Sequence, residues 1–371
     1  MRFAFSDEQD ELRRTVHRFL QDRSPESEVR RLMATDTGYD PLVWKQMADQ
    51  LGLQSVTIPE AYGGSGLACV ELTIILEEMG AALLCAPYFS TVALAANALL
   101  SGGDESAKAE YLPGIATGQT IGTLAFTEEG GSWDLASVSL EARQSADGWK
   151  LTGRKMFVVD GLVANLLLVV GRDPDGLSLF AVRPDAGGLV RTPLETIDQT
   201  RKQARLEFVD TPARLIGPPG GALPGLCKTL DLAAVALAAE QVGGAQRCLD
   251  AAVDYAKNRI QFGRPIGSFQ AIKHKCADML VDVESARSAA YCAAWAAEDD
   301  PTELSVVASL AKSYCSEAFF NAAAQNIQIH GVMGFPWEHP AHLYYRRARS
   351  SEQMLGDPAY HRELIIQRMG L

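Results

Sequence analysis

The 371-residue chain is short of positive charge: 34 Lys and Arg against 46 Asp and Glu leave a formal charge of −12 at pH 7. That balance excludes nucleic acid as the main partner, because such binding rests on basic surface. An anionic small ligand needs only a local basic patch and stays compatible. The seven cysteines are scattered and no C-x-x-C pair occurs. The odd count and loose spacing exclude a disulfide framework or a zinc ribbon and fit the reduced thiols of a cytoplasmic protein. The opening Met1-Arg2-Phe3-Ala4-Phe5-Ser6 lacks the basic-then-apolar run of a secretory signal. The longest stretch without a charge, residues 79–103, is long enough for a bilayer. Pro87, Tyr88, Ser90, Thr91 and Asn97 interrupt it, so it reads as buried helix and loop, and no membrane span is expected.

Familiar catalytic signatures are missing too. There is no G-x-S-x-G, no P-loop and no H-E-x-x-H. Tyr62-Gly63-Gly64-Ser65-Gly66 is glycine-rich, but it does not join a strand to a helix as a dinucleotide-binding βαβ unit would. His339 and His342 are three apart with no further donor cluster, so they read as hydrogen-bonded or solvated histidines and no metal site is expected.

What is present is an ordinary globular composition, 47% hydrophobic and 22% charged, on a chain too long for one small core. Three blocks divide it. Residues 1–120 read as helices: Ser6 with Gln9 forms a capping box behind Phe5, and Asp40-Pro41 starts a helix that stops at Gly52. Residues 121–222 read as a small antiparallel β unit. Asp147-Gly148 turns one hairpin, and short apolar runs at 166–170, 177–182 and 204–208 supply further strands. Pro218-Pro219-Gly220-Gly221 closes that block. Residues 223–371 read as helices at 230–259, 269–297, 301–328 and 341–351, a four-helix bundle. The expected fold is therefore mainly α with a β insert: an N-terminal helical domain, a central antiparallel β-barrel-like domain and a C-terminal four-helix bundle.

Two local features carry chemistry. Residues 254–275 hold five Lys or Arg and one Asp, and Arg259-Ile260-Gln261-Phe262-Gly263-Arg264-Pro265-Ile266 places an arginine at a helix end before a turn. That pattern suits phosphate, or simply a solvated corner between helices. Glu240 sits among small apolar residues in Leu237-Ala238-Ala239-Glu240-Gln241-Val242-Gly243-Gly244. Desolvation there would raise its pKa and suit a base, whereas an exposed amphipathic position is the plainer alternative.

Taken together, several ordered motifs resemble the acyl-CoA dehydrogenase family along nearly the whole chain. They are Ile58-Pro59-Glu60-Ala61-Tyr62-Gly63-Gly64-Ser65-Gly66, Phe126-Thr127-Glu128, Leu151-Thr152-Gly153-Arg154-Lys155, the Arg259–Gln270 segment, and Gln328-Ile329-His330-Gly331 with Gly334-Phe335. The resemblance implies FAD at a subunit interface of a tetramer. It also implies α,β-dehydrogenation of an acyl-CoA thioester and electron delivery to an electron-transfer flavoprotein. It places Arg259, Phe262 and Gln270 at the cofactor, with Arg259 at the pyrophosphate. Gln328 and Gly331 fall toward the adenine of a neighbouring subunit. Phe126, Thr127, Phe157 and Val159 fall at the flavin ring, Phe157 in place of the usual tryptophan and Val159 in place of a threonine. Trp133 replaces a serine in the same loop.

The resemblance breaks at the base. The usual glutamate of a C-terminal Y-E-G triplet aligns with Leu355, and the alternative position on the first bundle helix aligns with Ala233. The family's CoA-binding arginine on that helix aligns with Ala234. Glu240, two turns further and ~10 Å along the axis, is the first choice for the base, and Glu352 the second. The clustered Arg346, Arg347 and Arg349 read as packing or ion pairs. Two functions follow. One is an active dehydrogenase with a relocated base. The other is a non-catalytic subunit that helps bind FAD and pairs with a related chain in an α2β2 assembly for bulky or steroid side-chain acyl-CoAs. The small residues Ala233, Ala234, Ala236, Ala238, Ala239, Gly243 and Gly244 would suit a bulky acyl group if they border the pocket, and close helix packing if they do not.

Overall fold

The computed structural model describes residues 5–300 and 302–371. Its helices are α1 (Asp7–Arg23), α2 (Glu26–Met33), α3 (Pro41–Asp49), α4 (Cys69–Ala81), α5 (Asn97–Gly102), α6 (Glu105–Ala116), α7 (Leu223–Asn258), α8 (Gln270–Asp299), α9 (Leu304–His330), α10 (Ala341–Gln353) and α11 (Pro358–Met369). Its main strands are β1 (Gly122–Ala125), β2 (Glu141–Ser145), β3 (Gly148–Val159), β4 (Leu166–Asp173), β5 (Gly176–Val182), β6 (Leu189–Pro193) and β7 (Gln203–Ile216). They form two compact units. One comprises the chain up to Arg30, Cys69–Leu84 and Ala234–Leu371; the other comprises Arg31–Ala68 and Cys85–Ala233.

In the helical unit, α1 begins as its capping box dictates. Ser6 Oγ accepts from the Gln9 N–H at 3.2 Å, and Gln9 Oε1 accepts from the Ser6 N–H at 3.0 Å. Phe5 lies edge-on to Tyr291 of α8, ring centroids 4.9 Å apart. Buried Glu77 of α4 gathers Arg13, Arg287 and the Tyr291 hydroxyl, which ties α1, α4 and α8 together. A buried acid is tolerable there because it is both charge-paired and hydrogen-bonded. Helices α4 and α7 touch backbone to backbone: a Cβ on Gly80 would stand 2.0 Å from the Glu240 carbonyl oxygen, and one on Gly243 would stand 1.8 Å from that of Glu77. Gly244 is filled against by the Phe319 ring of α9. The glycines of α7 therefore serve helix packing, which removes them as support for a wide acyl pocket.

The bundle differs from expectation at its end. The third helix starts at Leu304, and Pro301, where the sequence reading began it, lies outside the described residues. A fifth helix, α11, follows α10. Its Asp357 accepts from the Tyr360 N–H at 2.8 Å with Pro358 at the first position, the same start signal as Asp40-Pro41.

In the other unit the strands close into a ring, with β2–β3, β3–β7, β7–β5 and β5–β4 antiparallel. The ring is not wholly antiparallel: β1 pairs with β4 in parallel, and β4 meets β2 in parallel at Glu141 and Arg172. The Asp147-Gly148 hairpin forms as expected, with Ser145 opposite Gly148. Residues 89–96, expected as α-helix, wind as a π-helix against β1. Its Thr91 hydroxyl donates to the Gly122 carbonyl at 3.3 Å.

Candidate active site

The β unit carries the positions expected at the flavin ring, Phe126, Thr127, Phe157 and Val159. Phe126 and Thr127 follow β1, and both are buried. Their carbonyl oxygens are fixed from β3: Lys155 Nζ donates to Phe126 O at 3.0 Å, and the Met156 N–H donates to Thr127 O at 2.8 Å. Lys155 has no exposed side-chain surface and pairs with Glu128 at 2.8 Å. Burial pushes its pKa down to about 8, against the opposing pull of Glu128. Burial acts to raise Glu128, but Lys155 and Ser139 outweigh it and leave the carboxyl below its ordinary value. Trp133 tilts over Phe126 at 5.8 Å between ring centroids, so the residue that replaces a serine has become part of an aromatic pair.

Phe157 stands where the β3–β7 register shifts, between Lys155 and Val158. Its φ of +56° and 41% exposure show a bulge turning a large ring outward. Asp160 (φ +54°) follows, buried and bonded by Ser90 Oγ at 2.7 Å. Val159 is buried, and its carbonyl accepts from Thr123 Oγ1 at 2.6 Å. A non-glycine residue at positive φ costs roughly 1–3 kcal/mol, and two so close together mark a locally determined backbone.

The helical unit presents the other positions. Arg259 directly follows α7, and a two-residue turn, Phe262-Gly263, links the paired Ile260–Gln261 and Arg264–Pro265. Positive φ at both, +53° and +77°, makes it a type I′ turn. It holds Phe262 92% exposed, edge-on to Phe269. The Arg264 guanidinium lies 4.1 Å from the Phe269 ring centre. Arg259 forms no ion pair among the described residues, and Gln270, at the start of α8, and Gln328, near the end of α9, are exposed. Ser268 Oγ is buried without a partner. Gly331 (φ +59°) begins an exposed turn in which Val332 and Phe335 are 86% and 82% open. Exposed aromatics, amides and an unpaired guanidinium make a donor set that fits a flat, anionic dinucleotide such as FAD.

Neither carboxylate reading lies on the turn expected to carry the base. Glu240 is buried on α7. Glu352, at the end of α10, is ion-paired with Arg349. Leu355 is buried at φ +64° in a pinned turn. Lys312 Nζ donates to Glu352 O at 3.1 Å and to Gly356 O at 2.9 Å, and His361 Nε2 meets Leu355 O at 3.0 Å. Sequence reasoning singled out neither Lys312 nor His361, nor Lys155 as a clamp. Of the arginine cluster, Arg347 is buried, Arg346 stacks over Trp337, and Arg349 pairs with Glu352.

Comparison with known proteins places these positions in context. Residues 6–119, 123–211 and 226–370 match the N-terminal, middle and C-terminal domain models of acyl-CoA dehydrogenases. The chain is 34% identical to Acyl-CoA dehydrogenase IpdE2 of Mycolicibacterium smegmatis over 360 residues, covering 95% of this chain and 96% of that one. Among solved structures it resembles the Tcur3481-Tcur3483 steroid ACAD at a TM-score of 0.90, with 32% identity and 98% of each chain covered. It also resembles the ChsE4-ChsE5 complex from Mycobacterium tuberculosis at 0.90, with 28% identity, 100% of this chain and 99% of that one.

Proposed function

Because this chain belongs to the acyl-CoA dehydrogenase family, whose members are FAD-dependent oxidoreductases, we propose that it is the FAD-interface subunit of a heteromeric acyl-CoA dehydrogenase whose base is supplied by a related partner chain. The observation that carries this reading is the turn at 354–356. Leu355 aligns with the usual base position and its side chain cannot take a proton, and Lys312 and His361 hold the backbone around it. The likeness to two structures named for paired chains supports the same reading, and the steroid name of one supports a bulky acyl-CoA as substrate.

In the full assembly a carboxylate takes the α-proton of the thioester. FAD held there would supply the two-electron acceptor for the β-hydride, giving the trans-2-enoyl-CoA, with an electron-transfer flavoprotein as the onward acceptor. This chain's part is to hold the cofactor. Arg259 would pair with the pyrophosphate, Phe262 and Gln270 would pack beside it, and Gln328 and Gly331 would meet the adenine end. Phe126, Thr127, Phe157 and Val159 would form the flavin-side wall. The three-part division 1–120, 121–222 and 223–371 and a cytoplasmic location belong to the same reading; among the described residues no helix is long and apolar enough to cross a membrane.

A second reading keeps the lone chain active with Glu240 as its base, favoured by the burial of that carboxylate on α7. One experiment separates the two. The chain is purified alone and with co-expressed candidate partners, then mixed with straight, branched and steroid acyl-CoAs while flavin absorbance is followed. Bleaching only with a partner is expected. Bleaching of the lone chain, abolished by Glu240→Gln with FAD retained, would establish the second reading instead.

A further inference from the structure

The helical unit holds a cavity of about 410 Å³ that shares no residue with the cofactor and base positions above. Leu20, Val29, Leu83 and Leu343, all buried, give it an apolar wall. Its two acids are already paired: Glu78 with Arg13 and His17, and Glu26 with Arg30. His339 also lines it. Burial and neighbouring His330 hold its pKa below the ordinary value, so the ring is neutral at pH 7. Arg247 of α7 is different. It is exposed, lines the cavity beside the Tyr344 hydroxyl, with which it interacts, and forms no ion pair among the described residues. Asn326, 2% exposed in the same wall, has an Oδ1 without a hydrogen-bond partner.

We propose that this cavity binds a small organic monocarboxylate with an apolar body, its carboxylate held by Arg247. The volume falls in the range of small-molecule sites, which are mostly apolar with a few placed polar groups. A guanidinium matches a carboxylate as a two-bond fork. The fixed carboxylates of Glu26 and Glu78 in the same wall repel a second negative charge, which favours a monoanion over a phosphate dianion. The inference does not depend on how catalysis is divided between chains, because the lining residues serve neither flavin nor base.

The test uses the FAD-loaded full chain, with its partner if one is needed for stability. Octanoate and cyclohexanecarboxylate are titrated by calorimetry, with octanamide as the uncharged control. Octanoate is expected to bind while octanamide binds at least tenfold more weakly. Arg247→Gln is expected to lower octanoate affinity at least tenfold, Arg247→Lys to lower it less, and Ala251→Trp, which fills the lined space, to abolish it. Saturating acyl-CoA is expected to leave octanoate binding unchanged. Equal binding of octanoate and octanamide to the unaltered protein, unchanged affinity in Arg247→Gln, or displacement by acyl-CoA each overturns the proposal. Retained FAD and helical circular dichroism identify variants that are folded. If Arg247→Gln and Ala251→Trp both fail to fold, the octanamide and acyl-CoA arms on the unaltered protein still decide it.

Discussion

Lys312 Nζ donates to the carbonyl oxygen of Gly356 at 2.9 Å from a side chain with no exposed surface. It also bonds Ser316 Oγ at 2.9 Å and Glu352 O at 3.1 Å, so its three donors are all used. Ser316 in turn bonds Gln241 of α7 at 3.0 Å, which places one buried polar network between α7, α9 and the 354–356 turn. The ammonium also sits by the last carbonyls of α10, where a cation is favoured. Lys312→Met strands these acceptors and is expected to cost roughly 2–4 kcal/mol. Burial lowers the lysine from 10.5 to about 7. Between those values the unfolded chain carries a proton that the folded chain has shed. Wild-type stability therefore gains a rising term with pH across that window, at most about 1.4 kcal/mol per pH unit, and the variant lacks it. Urea unfolding at pH 7 and pH 9 measures the difference; equal slopes in the two proteins would contradict the account.

His361 gives the opposite edge of the pH range. Its Nε2–H donates to Leu355 O at 3.0 Å, while Nδ1 lies 3.2 Å from Ser309 Oγ. Arg368 donates to that same Ser309 oxygen, leaving the hydroxyl proton for Nδ1 and the imidazole neutral. Burial, with Lys312 adding repulsion, lowers the ring from 6.5 to about 4. As pH falls through that window, the unfolded chain takes up a proton first and native stability falls. His361→Gln is expected to be less stable than wild type at pH 7 but to lose less between pH 6.5 and 4.5, by up to about 2 kcal/mol. Parallel urea curves at those two pH values provide the check.

The close approach of α4 and α7 leaves no room for a methyl group. Gly243→Ala places a Cβ against the Glu77 carbonyl, and Gly80→Ala places one against that of Glu240. Backbone lies in the way in both cases, so the helices must separate. Each change is expected to cost roughly 3 kcal/mol or more despite the better helix propensity of alanine. Because Glu240 is part of the displaced backbone, Gly80→Ala also shifts the one buried carboxylate offered as a base. A melting temperature within about 1 °C of wild type for both variants would show that the contact yields easily.

How much of this was legible follows from where the signals lie. The capping box at Ser6, the Asp147-Gly148 hairpin and the long bundle helices depend on near neighbours in sequence, and they formed where expected. Helix α11 carried a readable start in Asp357-Pro358, but its apolar residues cluster at 364–366 instead of recurring at helical spacing. The π-helical winding of 89–96 uses the same small apolar residues as an α-helix, so composition could not separate them. Lys312 and Lys155 sit in helical and strand patterns like surface lysines. Their acceptors lie 40, 44, 29 and 27 residues away, and only the fold brings them together. Phe157 and Phe262 were singled out through motifs, while their positive φ became visible only in the backbone.

The Lys155–Glu128 pair links stability to cofactor retention. Lys155 holds the Phe126 carbonyl, and Glu128 accepts from Lys155, from Ser139 N and Oγ, and from the Leu140 N–H at 2.8 Å. Glu128→Ala leaves a buried ammonium without its counter-charge and frees the loop that follows Phe126. The expected loss is roughly 2–4 kcal/mol, toward the lower end for a buried pair because Glu128 is 17% exposed. Lys155→Met alone strands the Phe126 carbonyl and takes the counter-charge from Glu128, and is expected to cost as much. Lys155→Met with Glu128→Leu removes both charges and is expected to recover more than half of either loss. If the loop bears on the flavin, both single variants should also release FAD on gel filtration under conditions where wild type keeps it. The double variant should regain stability more fully than FAD, because the Phe126 carbonyl still lacks its donor. Equal recovery of both properties would show that the clamp serves folding alone.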